Sequence, residues 1–588
     1  MFTDNKTLQF LQALLKAHGV RHLVISPGSR NAPLARSVEQ DDHFQCYSVV
    51  DERSAAYYAL GIALQTGEPV ALSCTIATAS CNYLPAVVEA FHRGIPLILL
   101  TGDSNPYLVG QLESQMIDQS NTFSNFVKKS VWLPVVRTRE DEWYCQRLIN
   151  EALLASSHHG SGPVHIRVPI VDHFTDFTTA QLPPVKTIFR IDRDASAAIW
   201  EEKAALLRSK KKILVVYGQG RPASPQLKAA VEKFCSATGA VVIKEHTANI
   251  SPQHAIPASL AMEGLTEKSF EPFAPEIVIS VGGNYVSSLK ALLRSRYGQY
   301  HHWLVNDSGE PVDTFKSLDS VFECPLQHFF EYFATHASQA PPDTAYLEMW
   351  MARRAATRYP DVEFSNVTAI KAFLERIPSD SILNLSILNS ARIAQFWEIP
   401  DTVETYSNLG AYGIDGCLST FLGQASATSK LCFLIIGDLS FFYDMNALSL
   451  RNIGSHVRIL LINNFGGGEF HLSFGKAALP NIDQHTAAAH TNTAKAWAED
   501  NGFQYYSAHK QCDLDTILPE FVSPSQDRPM FLEVFTHMEN DAQAIQTMFE
   551  ANRAQDGMTK AWDTAKSAAK SLLGNKAYDS IRRKMGKN

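Results

Sequence analysis

Short apolar runs alternate along the chain with longer segments whose apolar residues recur at helical spacing. In the first such segment Leu8, Leu11 and Leu15 share one helical face, and Gly19 follows where a helix C-terminus favours a left-handed residue. The run "RHLVIS" then predicts a buried strand. Strands and helices that alternate in this way are typical of a parallel sheet covered by helices on both faces. We therefore predict an α/β fold of parallel sheets flanked by helices.

The alternation is interrupted twice, which predicts three α/β domains. The irregular stretch "TDFTTAQLPPVKT" closes the first unit, and the Pro- and Ser-bearing stretch "THASQAPPDTA" indicates a linker after the second. A length of 588 residues agrees with three or four domains at about 150 residues each. The first and third units are similar in size and pattern, although the pattern alone does not demonstrate internal homology. We place the domains at residues 1–185, 190–335 and 345–555.

Composition and charge exclude several classes of protein. Hydrophobic residues make up 45% and charged residues 19% of the chain, which is ordinary for a soluble globular protein. A net charge of −8 argues against general nucleic-acid binding. The longest apolar runs are far shorter than the ~20 residues that span a bilayer, and the N-terminus lacks the pattern of a secretory signal. Nine scattered cysteines without CxxC spacing favour a reducing, cytoplasmic location.

The C-terminal tail, residues 556–588, differs from the rest of the chain. Residues 551–588 hold nine Lys/Arg and three Asp. Trp562, Ala565, Ala569 and Leu572 share one helical face, which predicts a basic amphipathic helix. Such a helix is more often a solvated helix docked on its own domain than a contact with a membrane or a partner.

Two neighbouring strands of the third unit end in residues that suit a metal ion. Gly437-Asp438 ends one apolar strand, and Asn463-Asn464 ends the next. The carboxyl ends of adjacent parallel strands lie at the edge where open α/β sheets bind ligands. Asp and Asn oxygens suit a hard cation such as Mg²⁺ (or Mn²⁺), and the following "FGGGEF" can add the carbonyl of Gly466. We predict that this site binds a diphosphate through its metal; the alternative is two ordinary strand ends.

The spacing GD…NN resembles the signature of thiamine diphosphate (ThDP) enzymes, although Leu439 stands where the signature usually has Gly. In those enzymes the carboxyl of a Glu at a strand end of the first domain contacts the cofactor's aminopyrimidine. The segment "YSVVDERSAAYYALGIA" places Glu52 there, although a lone Glu at such a position more often only starts a helix. In ThDP enzymes the Glu and the metal site lie on different subunits, so the resemblance implies a homodimer or homotetramer.

Five longer segments narrow the resemblance to one family. They are "VISPGSRNAPL" (24–34), "VVDERSAAYYALGIA" (49–63), "NYLPAVVEA" (82–90), "SNLGAYGIDGCLST" (407–420) and "GDLSFFYDMNAL" (437–448). They resemble 2-succinyl-5-enolpyruvyl-6-hydroxy-3-cyclohexene-1-carboxylate synthase of the menaquinone pathway, and the resemblance covers all three domains. That family decarboxylates 2-oxoglutarate on ThDP and adds the resulting succinyl-semialdehyde carbanion to isochorismate.

The resemblance implies a role for each matching residue. Glu52 is the catalytic activator of the cofactor, and Ile414 supports the cofactor in its bent shape, although without the family we would take Ile414 for a core residue. The family's substrates are dianionic carboxylates, which bidentate Arg suits. The implied cofactor-binding residues are Thr78, Gly413, Ile414, Gly437, Leu439 and Ser440; the metal ligands are Asp438, Asn464 and Gly466; the substrate residues are Ser29, Arg30, Gln115, Lys290, Arg392 and Phe470.

The substrate pocket is where this sequence departs from the family. Ser104 and Leu409 stand at the positions of two family arginines, and Leu289-Lys290 replaces a Lys-Arg pair. Glu469 replaces an apolar residue and would repel a carboxylate. Losing two or three cationic contacts at about 1.5–3 kcal/mol each would weaken binding of a polyanion by several orders of magnitude.

We therefore predict a divergent paralogue. It would decarboxylate a 2-oxo acid and ligate the resulting carbanion to an acceptor, with a changed donor or acceptor. One alternative is the synthase itself, with His471 and Lys476 compensating for the lost cations. The others are a simple 2-oxo acid decarboxylase, and an inactive ThDP-binding scaffold at a membrane.

A glycine motif in the second unit matches the spacing of a dinucleotide-binding site. "VVYGQGRPAS" places Gly218, Gly220 and Ala223 after a strand, in the spacing of a dinucleotide-binding turn. Pro222 falls near the helix start, and no acid is clearly placed about 20 residues further on to hold a ribose. We therefore interpret the motif as a structural turn of a cofactor-free central domain.

Overall fold

The structure is a computed structural model that describes residues 1–103, 106–170, 175–338, 340–451, 453–473 and 482–553. The chain divides into two compact units. The first contains Met1–Ala195 and Asp307–Glu323, and the second contains Ser196–Asn306 and the described residues from Cys324 onwards. The predicted tail, residues 556–588, lies outside the described residues, as do Ser104 and Lys476.

The N-terminal sheet of the first unit has six strands, all parallel, in the order β2-β1-β3-β4-β6-β5. Its longest strand, β4, is buried along its whole length, as expected for a parallel strand covered on both faces. Its strands are β1 (His22–Ile25), β2 (Gln45–Ser48), β3 (Val70–Cys74), β4 (Leu97–Asp103), β5 (Ser130–Trp132) and β6 (Val164–Pro169). Its helices are α1 (Lys6–Ala17), α2 (Ala32–Val38), α3 (Glu52–Thr66), α4 (Thr78–Cys81), α5 (Leu84–Arg93) and α6 (Arg139–Ala155).

The middle of the chain holds seven further strands. In the second unit five of them run parallel in the order β10-β9-β8-β11-β12, and in the first unit β13 pairs in parallel with β7. The strands are β7 (Phe189–Asp192), β8 (Ile213–Tyr217), β9 (Val241–Lys244), β10 (Ile256–Pro257), β11 (Ile277–Val281), β12 (His301–Asn306) and β13 (Leu318–Glu323). The helices are α7 (Ala197–Arg208), α8 (Pro225–Thr238), α9 (Leu260–Glu263), α10 (Leu289–Ser295) and α11 (Leu326–Thr335).

The C-terminal sheet belongs to the second unit and also has six parallel strands. Their order, β15-β14-β16-β17-β19-β18, repeats the strand order of the N-terminal sheet. The first and third predicted domains are therefore alike in topology as well as in size. The strands are β14 (Ile382–Leu385), β15 (Glu404–Ser407), β16 (Cys432–Gly437), β17 (Val457–Asn463), β18 (Gln504–Ala508) and β19 (Met530–Phe535). The helices are α12 (Ala345–Ala355), α13 (Asn366–Leu374), α14 (Asn389–Ala394), α15 (Cys417–Ala425), α16 (Asp438–Asp444), α17 (Glu469–Ser473), α18 (Ile482–His485), α19 (Lys495–Asp500), α20 (Gln511–Phe521) and α21 (Met538–Asn552).

The predicted fold class, α/β with three sets of parallel strands flanked by helices, is confirmed. The buried central strands lie where the apolar runs predict them, whereas β5, β15 and β18 carry no such run. These three are edge strands, and β18 is half-buried over most of its length, so its sequence lacks a continuous apolar signal. Among the described residues, each helix is either too short or too polar to span a bilayer.

The turn containing Gly218 and Gly220 fits the structural role predicted for it. A Cβ at Gly218 would lie 2.1 Å from the carbonyl oxygen of Gly283. The side chain of Asn249 donates to the carbonyl oxygen of Gly220. The loops after β8 and β11 therefore pack backbone against backbone, which is why glycine is needed there.

A second close approach predicts a large effect on stability. A Cβ at Gly264 would lie 1.8 Å from the carbonyl oxygen of Asn552, which also accepts a hydrogen bond from Arg353. Gly264→Ala should lower the free energy of unfolding by about 1–3 kcal/mol, because backbone and helix ends must move apart. Gly423→Ala is the control: its Cβ meets no atom within 4 Å, and the added helix propensity should raise stability by about 0.5–1 kcal/mol. Urea unfolding of both variants tests this, and equal effects would contradict it.

Candidate active site

Strands β16 and β17 are neighbours in the sheet, and their carboxyl ends bring Asp438 and Asn464 together. Asp438 is buried, and its Oδ2 accepts the backbone N–H groups of Asn464 and Gly466 at 3.1 and 3.0 Å. Its Oδ1 accepts the N–H of Leu439 at 2.6 Å. Asp438 therefore fixes the start of the glycine loop as well as placing a carboxylate at the sheet edge.

A second buried carboxylate orients Asn464. Asp541 Oδ2 accepts from Asn464 Nδ2 at 2.8 Å and from the Thr536 hydroxyl at 2.9 Å, while Oδ1 accepts the N–H of Asn366. Burial raises the pKa of Asp541 to about 6, against the effect of these hydrogen bonds. Because the amide nitrogen of Asn464 is engaged, its oxygen is the atom that it can offer to a cation.

The glycine loop has no room for side chains. A Cβ at Gly466 would lie 2.8 Å from Met538 Sδ and 2.9 Å from the carbonyl oxygen of Ala487. A Cβ at Gly468 would lie 2.8 Å from Asn464 Nδ2. The loop therefore packs closely around the two predicted ligands, which favours backbone groups as further contacts.

His490 lies beside this cluster, and the sequence analysis missed it. Its Nδ1 accepts the N–H of Asn492, so in the neutral ring Nε2 carries the proton, and Nε2 lies 3.4 Å from Asp438 Oδ2. The ring also packs edge-on against Phe442 at 5.2 Å between centroids. The surrounding sequence, "AAAHTNTAKAW", carries no pattern that predicts this placement.

A cavity of about 240 Å³ opens beside these residues. Ile414 lies in its wall, and the Ser440 hydroxyl donates to the carbonyl oxygen of Ile414 at 2.8 Å. Leu388, also in the wall, has φ 61° and ψ −123°, a backbone strain that costs about 1–3 kcal/mol and is typical of functional sites. The other predicted residues that line the cavity are Gly437, Asp438, Leu439, Asn464, Gly466 and Phe470.

These residues fit the diphosphate and metal of a ThDP cofactor. A buried carboxylate and an amide oxygen suit a hard cation, and a closely packed glycine loop lies beside them. The mainly apolar wall containing Ile414 and Leu388 suits an aromatic ring system. The predicted metal-binding residues, and the predicted cofactor-binding residues that line this cavity, all belong to the second unit.

Arg392, predicted to hold a substrate carboxylate, is already paired with an acid. Its Nη1 and Nη2 lie 2.5 and 3.1 Å from the two carboxylate oxygens of Glu469, and Nη1 also donates to Asn389. Burial lowers the pKa of Arg392, but the hydrogen bonds and charge of Glu469, together with the charge of Glu263, outweigh burial and raise it. Glu469, predicted only to repel carboxylates, therefore neutralises the arginine that should attract them.

A buried acid of the middle part of the chain lies near Lys290. Glu245 Oε1 accepts the N–H groups of Val286 and Ser287 at 2.6 and 2.7 Å. Burial raises the pKa of Glu245 to about 7, while these hydrogen bonds and the charge of Lys290 lower it. Lys290 itself lies over the ring of Tyr285, 5.1 Å from its centroid.

Of the remaining predicted residues, Gly413 belongs to the second unit, where a Cβ would lie 2.3 Å from Asp415 Oδ1, and the others belong to the first unit. Glu52 opens helix α3 behind the N-cap Asp51, half-buried, and its charge contributes to the raised pKa of Cys74. Arg30 donates to the carbonyl oxygen of Ile170 at 2.7 Å. The other three, all exposed, are Ser29, Thr78 and Gln115.

The structure describes Leu409, which stands at the position of a family arginine, and His471, which is predicted as an alternative source of positive charge. Leu409 is buried. His471, considered as a compensating base, hydrogen-bonds to Asp483 at 2.7 Å. Leu409 therefore adds no charge, while the imidazole of His471 is engaged by Asp483, and compensation by His471 stays a prediction.

Comparisons with known proteins agree with this fold. Residues 5–122 match the family described as thiamine pyrophosphate enzyme, N-terminal TPP binding domain. The chain is 39% identical, over 93% of its length and 99% of the relative, to a protein of Phocaeicola vulgatus named 2-succinyl-5-enolpyruvyl-6-hydroxy-3-cyclohexene-1-carboxylate synthase. Relatives of the same name from Bacteroides thetaiotaomicron (37% identical, 93% and 99% covered) and Desulfotalea psychrophila (35%, 88% and 96%) also match.

The three sets of parallel strands, the Asp438–Asn464 cluster and the matching N-terminal region define a ThDP-dependent enzyme. Within that class, the sequence identity to these relatives and the share of both chains that is aligned identify the family. The chain belongs to the 2-succinyl-5-enolpyruvyl-6-hydroxy-3-cyclohexene-1-carboxylate synthase family, of which it is a divergent member.

The raised pKa of Glu245 predicts a pH-dependent stability. Between about pH 4.5, the ordinary pKa, and about pH 7 the folded state retains a proton that the unfolded state releases, so stability falls as pH rises through this window. Glu245→Gln removes the ionisation but keeps the acceptor for Val286 and Ser287. The urea midpoint of the variant relative to wild type should therefore be higher at pH 8 than at pH 5. Glu375→Gln, on the exposed end of α13, should show no such difference; a pH-independent effect of Glu245→Gln would contradict the assignment.

Proposed function

We propose that this protein decarboxylates a 2-oxo acid and ligates the remaining acyl unit to an acceptor, with ThDP and a divalent metal as cofactors. The observation that carries the proposal is the Asp438–Asn464 cluster beside the cavity, in a chain of this family. Bound ThDP supplies a nucleophilic carbon and an electron sink for the carboxylate that leaves. Asp438, Asn464 and the carbonyl of Gly466 would hold the metal.

The chain's own residues have separate tasks in this proposal. Ile414 and Leu388 exclude water from one wall of the cavity. Glu52 would exchange a proton with the pyrimidine nitrogen N1′, which is the role that makes it catalytic. In ThDP enzymes this Glu and the metal site lie on different subunits, so we propose that a second copy of the chain supplies Glu52, in a homodimer or homotetramer.

The substrates that the family resemblance implies are the first candidates. The comparisons favour the reaction of 2-oxoglutarate with isochorismate, because the relatives cover nearly the whole chain. One observation favours a second candidate, the same chemistry on a different donor or acceptor. Arg392 is neutralised by Glu469, and Leu409 takes the place of a cation.

Carbon dioxide release and product analysis test the function. The purified protein with ThDP and Mg²⁺ should release CO₂ from a 2-oxo acid and, with an acceptor present, form a ligated product. Glu52→Gln should lower kcat by about 10²–10⁴-fold, because proton transfer is lost, while ThDP still binds. Glu89→Gln, an exposed glutamate of α5, is the matched control. Wild-type rates in Glu52→Gln would refute the role of Glu52.

The metal site is tested through cofactor binding. ThDP should bind more tightly with Mg²⁺ than with EDTA, as measured by isothermal titration calorimetry. Asp438→Asn should weaken binding in Mg²⁺ by about 100-fold or more, since even outer-shell partners of a metal contribute 10–100-fold. Asp500→Asn, at the exposed end of α19, should behave as wild type. If Asp438→Asn retains the full effect of Mg²⁺, Asp438 is not a ligand.

A further inference from the structure

We propose that Glu469 sets the donor selectivity of this enzyme: its ion pair with Arg392 makes the adjoining part of the cavity accept a neutral, hydrogen-bonding group where a carboxylate would otherwise bind. The inference rests on the proposed 2-oxo acid chemistry and names the substrate class of that site. It assigns a function to a residue that the sequence analysis treated only as a source of repulsion.

The pair stands between two cavities. Glu469 lines the cavity that also contains Asp438, Ile414 and Phe470. Arg392 lines a neighbouring pocket together with Glu263 and other residues. The side chains of Arg392 and Glu469 retain 24% and 20% of their exposure, so a substrate can reach them.

Among the residues that the structure describes in the second unit, the acids that act on Arg392 balance its positive charge. Glu469 binds both terminal nitrogens of the guanidinium, and the charge of Glu263 also acts on it. Lys290 is the other predicted cation of this unit, and it interacts with Glu245. A substrate carboxylate would have to displace Glu469 from Arg392 and leave that acid half-buried without its partner.

A neutral polar group meets no such barrier. A carboxylate accepts several hydrogen bonds at once, and the Asn389 side chain lies against the same guanidinium. A carboxamide or hydroxyl both donates and accepts, so it can join this network while the ion pair stays intact. The geometry therefore selects a 2-oxo acid whose distal end is an uncharged polar group.

The test compares two donors of equal chain length, 2-oxoglutarate and the open-chain form of its 5-amide, whose concentration is measured by NMR because the amide nitrogen also closes onto the ketone as a hydroxylactam. In wild-type holoenzyme kcat/KM should favour the amide by at least about tenfold, since a charged hydrogen bond contributes on the order of 10–100-fold. Glu469→Gln and Glu469→Leu should each shift the ratio toward 2-oxoglutarate by about 10–100-fold. Two substitutions guard against a folding defect in one of them, and Glu375→Gln is the control glutamate.

A double variant shows whether the effect acts through Arg392. Adding Arg392→Leu to Glu469→Leu should abolish the gain for 2-oxoglutarate, because the freed guanidinium would be its cause. If both Glu469 variants keep the wild-type ratio within twofold, or if the gain survives without Arg392, the proposal is wrong.

Equilibrium binding separates this proposal from the proposed function. The dissociation constants of the same two acids, measured by calorimetry on Glu52→Gln holoenzyme, should show the same preference and the same shift. Absence of CO₂ release from every 2-oxo acid, with the binding ratio still shifted by Glu469→Gln, would overturn the proposed reaction and support the selectivity. An unshifted binding ratio in an active enzyme would overturn the selectivity alone.

Discussion

The site depends on one carboxylate, that of Asp438, which accepts hydrogen bonds from the backbone. Asp438 sits where β16 ends and accepts the N–H groups of Asn464 and Gly466, which follow β17. The hydrogen bonds join the ends of two adjacent strands and fix the course of the glycine loop. Asp438 also lines the cavity, so the same carboxylate is available to a cation. The fold and the proposed metal binding thus both require a carboxylate at position 438.

Two further buried acids extend this principle. Glu533 accepts from the Asn463 amide and from the N–H of Ala494, and Asp541 accepts from the Asn464 amide. Each asparagine of the NN pair is therefore held by its own carboxylate, from β19 or α21. Because an amide held at its nitrogen can present only its oxygen, these supporting acids decide what the strand end offers to a ligand.

The sequence predicts the features that a continuous local pattern encodes. It does not predict those that depend on contacts between distant segments. The apolar central strands and the residues at their ends, such as Asp438 and Asn464, follow from local sequence alone. Edge strands such as β18 lack the apolar signal because they are only half-buried. The places of His490 and Asp541 in the site, and the pairing of Glu469 with Arg392, join segments 52 to 77 residues apart, and no local pattern encodes such contacts.

The cofactor half and the substrate half of the cavity are built in different ways, and this explains how one can change without the other. The cofactor half consists of strand ends, backbone N–H groups and acids buried in the sheet edge, so a substitution there also disturbs folding. Arg392 and Glu469 lie on short helices, partly exposed, and they contact each other through side chains. An acid beside Arg392 forms an ion pair with it, so its charge is compensated and the fold stays intact. If Glu469 sets the selectivity as proposed, that residue can change while Asp438 and Asn464 keep their places in the sheet edge.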